Sequence, residues 1–468
     1  MRSYRHEGMM RVFKHHVTRQ LVLLGLIEAG LLAASAYGAL VVNWLRAGRL
    51  VLWSGEFMVE VLLFTAAVVI GMVSTGLYNR QYGRELADVI VRLVVSCLVA
   101  AVVLTVVFYV SPAASIWRSA VALAFIFAFA AVVSTRYVYL RAARSDVFKR
   151  RIIVIGVGEK AARIESLLDN GTAYECIGYL GPDADVVAIR RGPVIQGVNS
   201  LRLFVREHAV DEIVVALEER RSRLPLEELL ACRMDGISVV DYASFWERET
   251  GRVDTDSVSP SWLIFSEGFP GGSIQATLKR LFDICASVVL LVFGFPLMLL
   301  TALAVRCESR GPVFYRQERV GMNGRPFQLV KFRSMGIDAE QDGVPRWAQQ
   351  KDPRVTRVGY FIRKTRLDET PQLFNVLRGD MSIIGPRPER PYFVEEISRV
   401  VPYYFERHRV KPGISGWAQL NYPYGASTED AKVKFQYDLY YLKNYSILLD
   451  LFILLQTLRV IVWSEGAR

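Results

Sequence analysis

The chain has 468 residues, of which 52% are hydrophobic, and its mean hydropathy is +0.24. That composition is too apolar for an ordinary soluble protein and predicts membrane-spanning segments. The net charge of +11 suits an anionic membrane surface or a phosphorylated substrate. Nucleic acid is excluded as the expected partner, because the sequence has neither a dense lysine-arginine tract nor a nucleic-acid-binding motif.

Four apolar runs fill the first third of the chain, and each approaches the ~20 residues that a spanning helix requires. They cover residues 21–44, 57–78, 93–110 and 119–140. Basic residues cluster before the first run, between the second and third, and after the fourth, which predicts that both ends of this unit face the cytoplasm. The sequence therefore predicts a membrane α-helical four-helix domain over residues 1–145.

Two acidic residues, Glu28 and Glu60, lie inside predicted spans. Such residues belong either to an ion or proton path or to contacts within the bundle. We favour the second interpretation, because both positions could face the bundle or lie near a membrane interface.

Residues 146–247 alternate strand-like apolar runs with helical patterns, which predicts an α/β Rossmann-like module with a small parallel sheet. Its first strand is followed by Gly156-x-Gly158-x-x-Ala161, which is close to a dinucleotide fingerprint. We favour a glycine turn that packs helix on strand without a ligand, because only one βαβ-like half is present. Residues 248–274 are rich in Gly, Ser, Asp and Pro and predict a linker.

The remaining domain, 275–468, begins with a hydrophobic helix that carries a proline near its centre. Residues 284–305 are uncharged over 22 positions, about 33 Å as a straight helix, which is just enough to cross a bilayer. However, Pro296 removes a backbone hydrogen bond, and basic residues flank the run on both sides. The sequence therefore predicts a re-entrant membrane helix over 279–305 that breaks at Pro296 and returns to the cytoplasmic face.

The last apolar run, residues 446–463, is interrupted by Asp450 and Arg459. Charges at these positions are costly in a spanning helix, so we favour an interfacial helix with Trp463 as its anchor over a further span.

An adjacent acidic pair, Asp368-Glu369, lies within the arginine-rich segment 364–372. Two neighbouring carboxylates are costly to ionise together unless cations compensate them, and a divalent metal with a phosphorylated ligand would do so. The alternative is a helix start with Asp368 as the N-cap and with Glu369 and Pro371 in the first turn. A helix that starts at Asp368 would run to Leu377 and be closed by Gly379, and its dipole would keep Asp368 ionised. Because the cysteines and histidines show no metal-binding spacing, any metal is expected to have oxygen ligands, which favours Mg²⁺.

Further motifs surround this pair in a fixed order: Gly311-Pro312-Val313-Phe314-Tyr315-Arg316, Lys331-Phe332-Arg333-Ser334-Met335, Asp352-Pro353-Arg354-Val355-Thr356, Gly385-Pro386-Arg387-Pro388 and Lys411-Pro412-Gly413-Ile414-Ser415-Gly416-Trp417. Together they cover roughly residues 275–465 and resemble the catalytic domain of bacterial polyprenyl-phosphate sugar-1-phosphate transferases, the monotopic phosphoglycosyl transferases. The preceding spans and α/β module resemble the long, hexose-1-phosphate branch of that family, which initiates exopolysaccharide or O-antigen repeat units.

The resemblance implies transfer of a hexose-1-phosphate from a UDP-sugar to undecaprenyl phosphate, with release of UMP. It implies a mostly α-helical catalytic domain on the cytoplasmic face of the bacterial inner membrane, in contact with its lipid. Asp368 would be the covalent nucleophile, and Glu369 would hold Mg²⁺ beside it. The chain departs from the family at the helix break, where Phe295-Pro296 replaces the usual Ser-Pro.

Arg387 lies in a stiff Gly-Pro-Arg-Pro loop and suits a bidentate phosphate contact. Weaker candidates for phosphate binding are Arg316, Lys331, Arg333, Arg354 and Arg363. A homodimer is one further possible assembly.

The principal alternative is a membrane-anchored nucleotide-sugar dehydratase or epimerase, for which Tyr360-x-x-x-Lys364 would supply the base. We disfavour it because no strand, glycine-rich turn and helix precede that motif in the second half. A non-enzymatic scaffold or lipid-translocating protein is the other class considered.

Overall fold

The computed structural model describes residues 9–12, 15–48, 55–79, 85–112, 116–143, 149–168, 174–181, 188–196, 200–218, 224–256, 269, 272–336, 352–423, 425 and 427–463. The predicted domain boundary at residue 145 and the centre of the predicted linker, 257–268, lie outside these residues.

The N-terminal unit is a bundle of apolar helices that follows a short hairpin of β1 and β2. Its elements are β1 Met9–Val12, β2 His15–Thr18, α1 Arg19–Arg46, α2 Gly55–Ser74, α3 Leu86–Val110 and α4 Arg118–Ala143. Leu32, Phe64 and Leu93 lie in its buried core, whereas many Leu, Val and Ile side chains elsewhere on these helices are exposed. Such a distribution is expected of a bundle that meets lipid on its outside, and the prediction of four membrane helices is confirmed.

Glu28 faces the centre of this bundle and is fully buried. Its carboxylate accepts hydrogen bonds from Arg136 Nε at 2.6 Å and from the Tyr78 hydroxyl at 2.7 Å. Arg136 also donates to the Leu77 carbonyl at 3.0 Å. Because the carboxylate has both a cation and a hydroxyl donor, the structure agrees with a contact inside the bundle and gives no support for an ion path through Glu28.

The second unit is the predicted α/β module, and its sheet is parallel throughout. Five strands lie in the order β5-β4-β3-β6-β7, so the chain starts in the middle and extends the sheet in both directions. The elements are β3 Arg150–Ile155, α5 Glu159–Leu168, β4 Tyr174–Leu180, β5 Val194–Ile195, α6 Leu201–Glu207, β6 Glu212–Val215, α7 Leu226–Met234, β7 Ser238–Asp241 and α8 Tyr242–Thr250. Ile152 and Ile153 on β3 belong to two different buried clusters, one on each face of the sheet, as expected for a parallel sheet covered by helices on both sides.

The third unit is mostly helical, as predicted, with two short sheets. Its first part consists of α9 Ser273–Glu308, β8 Phe314–Val320, β9 Pro326–Phe332, α10 Arg357–Lys364, α11 Gln372–Arg378 and β10 Ser382–Ile384. The rest is α12 Pro391–Val400, β11 Gly413–Ser415, α13 Trp417–Asn421, α14 Thr428–Lys443 and α15 Ile447–Val462. The core of this unit is built around α14, where Phe435, Leu439 and Tyr440 are at most 1% exposed.

Helix α9 differs from its prediction at Pro296. The sequence predicted a break there, but helical backbone continues through the proline from Ser273 to Glu308. Both halves of α9 nevertheless contact the same unit. Lys279 Nζ donates to the Ile384 carbonyl at 3.2 Å in the first half, and Val305 in the second half packs in the cluster that contains Ile362. The re-entrant course stays a prediction.

Helix α15 joins the third unit to the membrane bundle. Asp450, Gln456 and Arg459 are each at most 1% exposed, so the polar positions that interrupt the apolar run face protein. Gln456 Nε2 donates to the carbonyl of Val73 at the end of α2. The ring of Trp463 lies 4.9 Å below the guanidinium of Arg92 on α3, so Trp463 contacts the bundle as well as the end of α15.

Candidate active site

The acidic pair lies in a single 3-10 turn, Leu367–Glu369, between α10 and α11. Its N-cap, Arg366, has φ 60° and ψ 14°, a left-handed conformation that costs a non-glycine residue roughly 1–2 kcal/mol. The predicted helix from Asp368 is therefore wrong in its start, because α11 begins only at Gln372 and has Pro371 as its N-cap. Its predicted end is right, since Gly379 closes α11 in the left-handed conformation.

Glu369 is 6% exposed and lies among three cations. Its Oε1 accepts hydrogen bonds from Lys331 Nζ at 2.9 Å and from an Arg387 NH2 group at 2.7 Å, and Arg366 lies at 3.8 Å. Burial acts to raise the pKa of Glu369, but the charges of Arg387 and Lys331 outweigh it and hold that pKa well below its usual value. Glu369 is therefore ionised and fixes two of the predicted phosphate-binding cations at one point.

Asp368 has a different environment, although it is 8% exposed and adjacent in sequence. Its carboxylate makes no hydrogen bond to any residue in the described ranges. Burial raises the pKa of Asp368 to about 6, the nearby Glu369 charge adds to the rise, and Lys331 and Arg366 oppose it. Within the described ranges Asp368 is thus an ionisable carboxylate beside a cationic cluster and without a hydrogen-bonding partner, which makes it a candidate reactive group.

Lys331 reaches the pair because β9 is fixed to α11. The buried Asn375 side chain accepts from the backbone N–H of Val330 at 3.1 Å and donates to the Gln328 carbonyl at 2.8 Å. This contact holds the strand that carries Lys331 against the helix that follows Glu369. Sequence reasoning missed Asn375, and its position three residues after Gln372 gave no signal of this role.

Arg387 is positioned by a close approach of two glycine-containing loops. β10 and β11 pair in parallel, Gly385 N–H donates to the Ser415 carbonyl at 2.9 Å, and Gly413 N–H donates to the Pro386 carbonyl at 2.9 Å. A Cβ on Gly413 would lie 2.1 Å from the Gly385 nitrogen, so no side chain fits there. The Gly-Pro-Arg-Pro and Lys-Pro-Gly motifs are therefore one structural unit.

The other predicted phosphate ligands are not brought to the acidic pair. Arg333 is buried and donates to the carbonyls of Ser309 and Arg310 at 2.8 and 3.0 Å, so it caps the end of α9. Arg354 pairs with Asp352, with 2.8 Å between Nε and Oδ1. Arg316 on β8 is exposed, Arg363 on α10 is half-buried, and neither contacts Asp368 or Glu369.

A cavity opens beside Arg366 and Arg387, and most of its lining was not anticipated from the sequence. Its charged and aromatic lining residues are Arg319, Arg366, Arg387, Glu389, Tyr404, Arg407, Tyr422, Lys434 and Asp438. The five cations outnumber the two carboxylates, which favours an anionic ligand such as a diphosphate. Arg407 is held by Asp438 at 2.8 Å, and it donates to the Arg387 carbonyl at 3.0 Å, so it also positions the Arg387 loop.

The acidic pair offers oxygen ligands that fit a hard cation. Glu369 gives only Oε1 to Lys331 and Arg387, and within the described ranges its Oε2 and the Asp368 carboxylate have no hydrogen-bond partner. No group of three or more His, Cys, Asp and Glu side chains converges in the described part of the chain. A metal at this pair would therefore complete its coordination with water and substrate oxygens, which is the usual arrangement for Mg²⁺.

The glycine turn of the α/β module is filled by a carboxylate from the chain itself. The Lys160 N–H at the start of α5 donates to Glu218 Oε1 at 2.9 Å, and Lys160 Nζ lies 3.4 Å from the same carboxylate. A Cβ on Gly158 would lie 3.1 Å from Glu218 Cγ. Glu218 thus occupies the helix N-terminus where a dinucleotide phosphate would bind, which supports the interpretation of this turn as a packing feature.

The fold and the site together define a membrane-embedded protein with a buried acidic pair in a cationic setting. Two family models match the chain: one described as "Bacterial sugar transferase" over residues 274–464, and one described as "CoA-binding domain" over residues 73–229. The first match covers the acidic pair and all the motifs around it. The chain belongs to the bacterial sugar transferase family, as a long form that carries the N-terminal bundle and α/β module.

Three relatives illustrate this membership. The UDP-N-acetylgalactosamine-undecaprenyl-phosphate N-acetylgalactosaminephosphotransferase of Aeromonas hydrophila is 45% identical over 259 residues, 55% of this chain and 60% of that protein. The undecaprenyl-phosphate glucose phosphotransferase of Komagataeibacter xylinus is 33% identical over 330 residues, 68% of this chain and 60% of that protein. The UDP-glucose:undecaprenyl-phosphate glucose-1-phosphate transferase of Xanthomonas campestris pv. campestris is 32% identical over 329 residues, 68% of this chain and 67% of that protein. The matched part thus spans about three fifths of the first two relatives.

Tyr360 and Lys364, the base predicted for the dehydratase or epimerase alternative, lie on α10 within the sugar transferase match. Tyr360 is 64% exposed, and α10 belongs to a different unit from the five-stranded sheet. The family membership removes the ground for this alternative.

Proposed function

We propose that this protein transfers a sugar-1-phosphate from a UDP-sugar to undecaprenyl phosphate at the cytoplasmic face of the bacterial inner membrane. The observation that carries the proposal is the pairing of Asp368, which has no hydrogen-bond partner in the described ranges, with Glu369 held by Lys331 and Arg387. The named activities of the relatives give the same donor and acceptor classes.

Asp368 is the nucleophile in the proposed mechanism. A carboxylate oxygen attacks the phosphorus that bears the sugar, a new P–O bond forms, and the bond to the bridging oxygen breaks with its electron pair leaving on UMP. An oxygen of undecaprenyl phosphate then attacks the same phosphorus, and the acyl-phosphate bond breaks. This step gives the lipid-diphosphate sugar and restores the Asp368 carboxylate.

Arg387 and Lys331 would stabilise the charge that develops on the phosphate oxygens, because Glu369 already holds both near Asp368. The cavity lined by Arg319, Arg407 and Lys434 has a volume of about 100 Å³, lies on the Arg387 side and would contact the diphosphate of the donor. Tyr422, which is half-buried in the lining, offers a face for a planar base, whereas the Tyr404 ring is buried against Arg407 and Phe435.

Mg²⁺ would be held by the free oxygen of Glu369, where it would neutralise the donor diphosphate beside the Asp368 nucleophile. We expect activity to be lost in excess EDTA, to return with Mg²⁺ or Mn²⁺, and to survive a zinc-selective chelator. Activity retained in EDTA would remove the metal from the proposal.

The experiment that tests the function is a donor panel with purified full-length protein and undecaprenyl phosphate. UDP-glucose, UDP-galactose and UDP-N-acetylgalactosamine should be compared, since the relatives are named for glucose and for N-acetylgalactosamine. We expect acceptor-dependent UMP release and a lipid-linked sugar diphosphate with at least one of them. No UMP with any donor in the panel would contradict the proposal, and an NAD-dependent change in the sugar would favour a different enzyme class.

A further inference from the structure

A second cationic site lies at the N-terminal end of α9, apart from the acidic pair. A cavity of about 380 Å³ is lined there by Lys279, Arg280, Arg409 and Lys411, together with Asp283 and Tyr445. None of Lys331, Asp368, Glu369 and Arg387 lines it. The cavity therefore requires an explanation of its own.

Two of these cations have no carboxylate partner in the described part of the chain. Arg280 donates to the carbonyls of Val376 and Leu377 at 2.6 and 2.7 Å, which satisfies its N–H groups without neutralising its charge. Lys411 is half-buried and makes no hydrogen bond or ion pair within the described ranges. Burial and the nearby Arg280 charge lower the pKa of Lys411, and the charges of Asp283 and Asp380 oppose this shift only in part.

The two groups lie close to one common point beside Gly379. A Cβ built on Gly379 would be 3.7 Å from Arg280 NH2 and 3.7 Å from Lys411 Nζ. Gly379 has φ 102°, a left-handed conformation that favours glycine, so this space is kept clear of a side chain. The other two cations are already compensated, since Lys279 pairs with Asp450 at 2.9 Å and Arg409 with Glu406 at 2.9 Å.

An apolar groove continues from this cavity. It has a volume of about 530 Å³, shares Gly272 and Gln275 with the cavity, and is lined mainly by Ile274, Leu278, Ile447 and Leu448. Ile274 and Leu278 are 76% and 47% exposed, on the first turns of a helix long and apolar enough to cross a membrane. A ligand that fills both spaces needs an anionic head and an apolar tail.

We propose that Arg280 and Lys411 bind the headgroup phosphate of an anionic phospholipid, whose acyl chain lies in the groove between α9 and the start of α15. The charge-assisted contact holds the N-terminal end of α9 at the membrane surface. The assignment goes beyond the transfer reaction and does not depend on it, because binding is measured without a donor.

The test is native mass spectrometry of the full-length protein in mild detergent, titrated with phosphatidylglycerol and, separately, with phosphatidylcholine. We expect phosphatidylglycerol to bind more tightly, and Lys411→Gln to weaken it about tenfold, which corresponds to the loss of one charge-assisted hydrogen bond. Lys411→Arg should retain the affinity. Arg399→Gln, which removes a 74% exposed charge on α12, should behave as the parent.

Three results would overturn the assignment. One is equal phosphatidylglycerol affinity in the parent, Lys411→Gln and Arg399→Gln proteins. Another is a Lys411 dependence for undecaprenyl phosphate but none for phosphatidylglycerol, which would make this the acceptor site. The third is full displacement of the lipid by millimolar inorganic phosphate, which would make it a free phosphate site. The thermal midpoint of Lys411→Gln, compared with that of Arg399→Gln, distinguishes lost binding from lost folding.

Discussion

Asp368 and Glu369 are adjacent carboxylates with different contacts, which fit the different tasks that we propose for them. Glu369 accepts from Lys331 and Arg387 and stays ionised, whereas the Asp368 carboxylate faces no hydrogen-bond donor in the described ranges. Environments that push the pKa values of two neighbouring acids apart are typical of sites in which one acid reacts and the other organises charge. Both acids follow Arg366, which is the left-handed N-cap of the turn that carries them.

We expect Asp368→Asn to lower turnover by several orders of magnitude, because the amide keeps the shape but removes the nucleophilic oxygen charge. With a donor labelled on the sugar-linked phosphate and no lipid, the parent should retain label on a peptide that contains Asp368, and hydroxylamine should release it. Glu395→Gln, at an exposed carboxylate on α12, is the matched control and should label normally. Label on the Asp368→Asn protein would place the nucleophile elsewhere.

The raised pKa of Asp368 predicts a loss of activity on mild acidification. The proposed mechanism requires the ionised form, and with a pKa of about 6 in the protein without bound metal its share falls from about 90% at pH 7 to about 10% at pH 5. An Asp at its ordinary value of 3.8 would stay ionised over this range. Measured single-turnover rates should therefore drop about tenfold between these pH values. A single-turnover rate that does not change from pH 7 to pH 5 would show that the pKa of Asp368 is not raised in this way.

At the scale of elements, α9 is the helix of the third unit that is long and apolar enough to cross a membrane. Its first half is tied to β10 through Lys279 and Asp283, and its second half packs on β9 and α10 through Met298 and Val305. Because both halves bind one unit, the two ends of α9 are expected on the same side of the membrane. Pro296 favours this re-entrant path, because it weakens the backbone hydrogen bonding at the centre of the helix.

Cysteine labelling tests this course with a residue that the chain already has. Cys307 is exposed near the end of α9, and Thr277→Cys would place a second thiol near its start, each in a background without other cysteines. We expect a membrane-impermeant maleimide to label both only after the inner membrane is opened. Gly48→Cys, after α1 on the side predicted to be periplasmic, is the control that should label in intact cells with a permeable outer membrane. Labelling of Cys307 from outside would make α9 a true span.

The elements also show where sequence reasoning works and where it fails. Long apolar periodicity, glycine turns and a C-capping glycine act locally, so the four spans, the parallel sheet and the end of α11 at Gly379 were predicted correctly. The start at Asp368 was not, because the left-handed conformation of Arg366 has no residue signature. Among the candidate phosphate ligands, only Lys331 and Arg387 reach the pair, since that choice depends on strand register and on Asn375, which joins elements distant in the chain.

At the scale of the molecule, the third unit contacts the other two units through α13, α14 and α15. Trp417 Nε1 donates to the Gly251 carbonyl at 2.7 Å, which joins the third unit to the end of the α/β module. Lys443 at the end of α14 pairs with Glu247 on α8 at 2.6 Å. Gln456 connects α15 to the bundle, and Arg459 donates to the Leu420 carbonyl within the third unit. The active-site unit therefore contacts both the α/β module and the membrane bundle.

We expect the Lys443–Glu247 pair to stabilise the join between α/β module and active-site unit. Its side chains are only 16% and 7% exposed, so Lys443→Glu should lower the free energy of unfolding by about 3 kcal/mol. The double variant Lys443→Glu/Glu247→Lys should restore part of this loss. The exposed Arg399–Glu395 pair is the matched control, and breaking it should cost less than about 1 kcal/mol. Chemical unfolding in detergent gives both values. Equal effects at the two pairs would show that the units are not joined through this contact.

The buried contact of Glu28 with Arg136 also constrains how the protein is made. The two residues are 108 positions apart, the acid on the first membrane helix and its partner on the fourth. At a synthesis rate of roughly 5–20 residues per second, α1 waits roughly 5–20 s before its counter-charge leaves the ribosome. During that interval Glu28 has to stay hydrated or be sheltered by the insertion machinery, because an unpaired carboxylate in hydrocarbon is costly. The bundle is therefore expected to close only when α4 arrives, and a chain stopped before that helix should be recognised as incomplete and degraded.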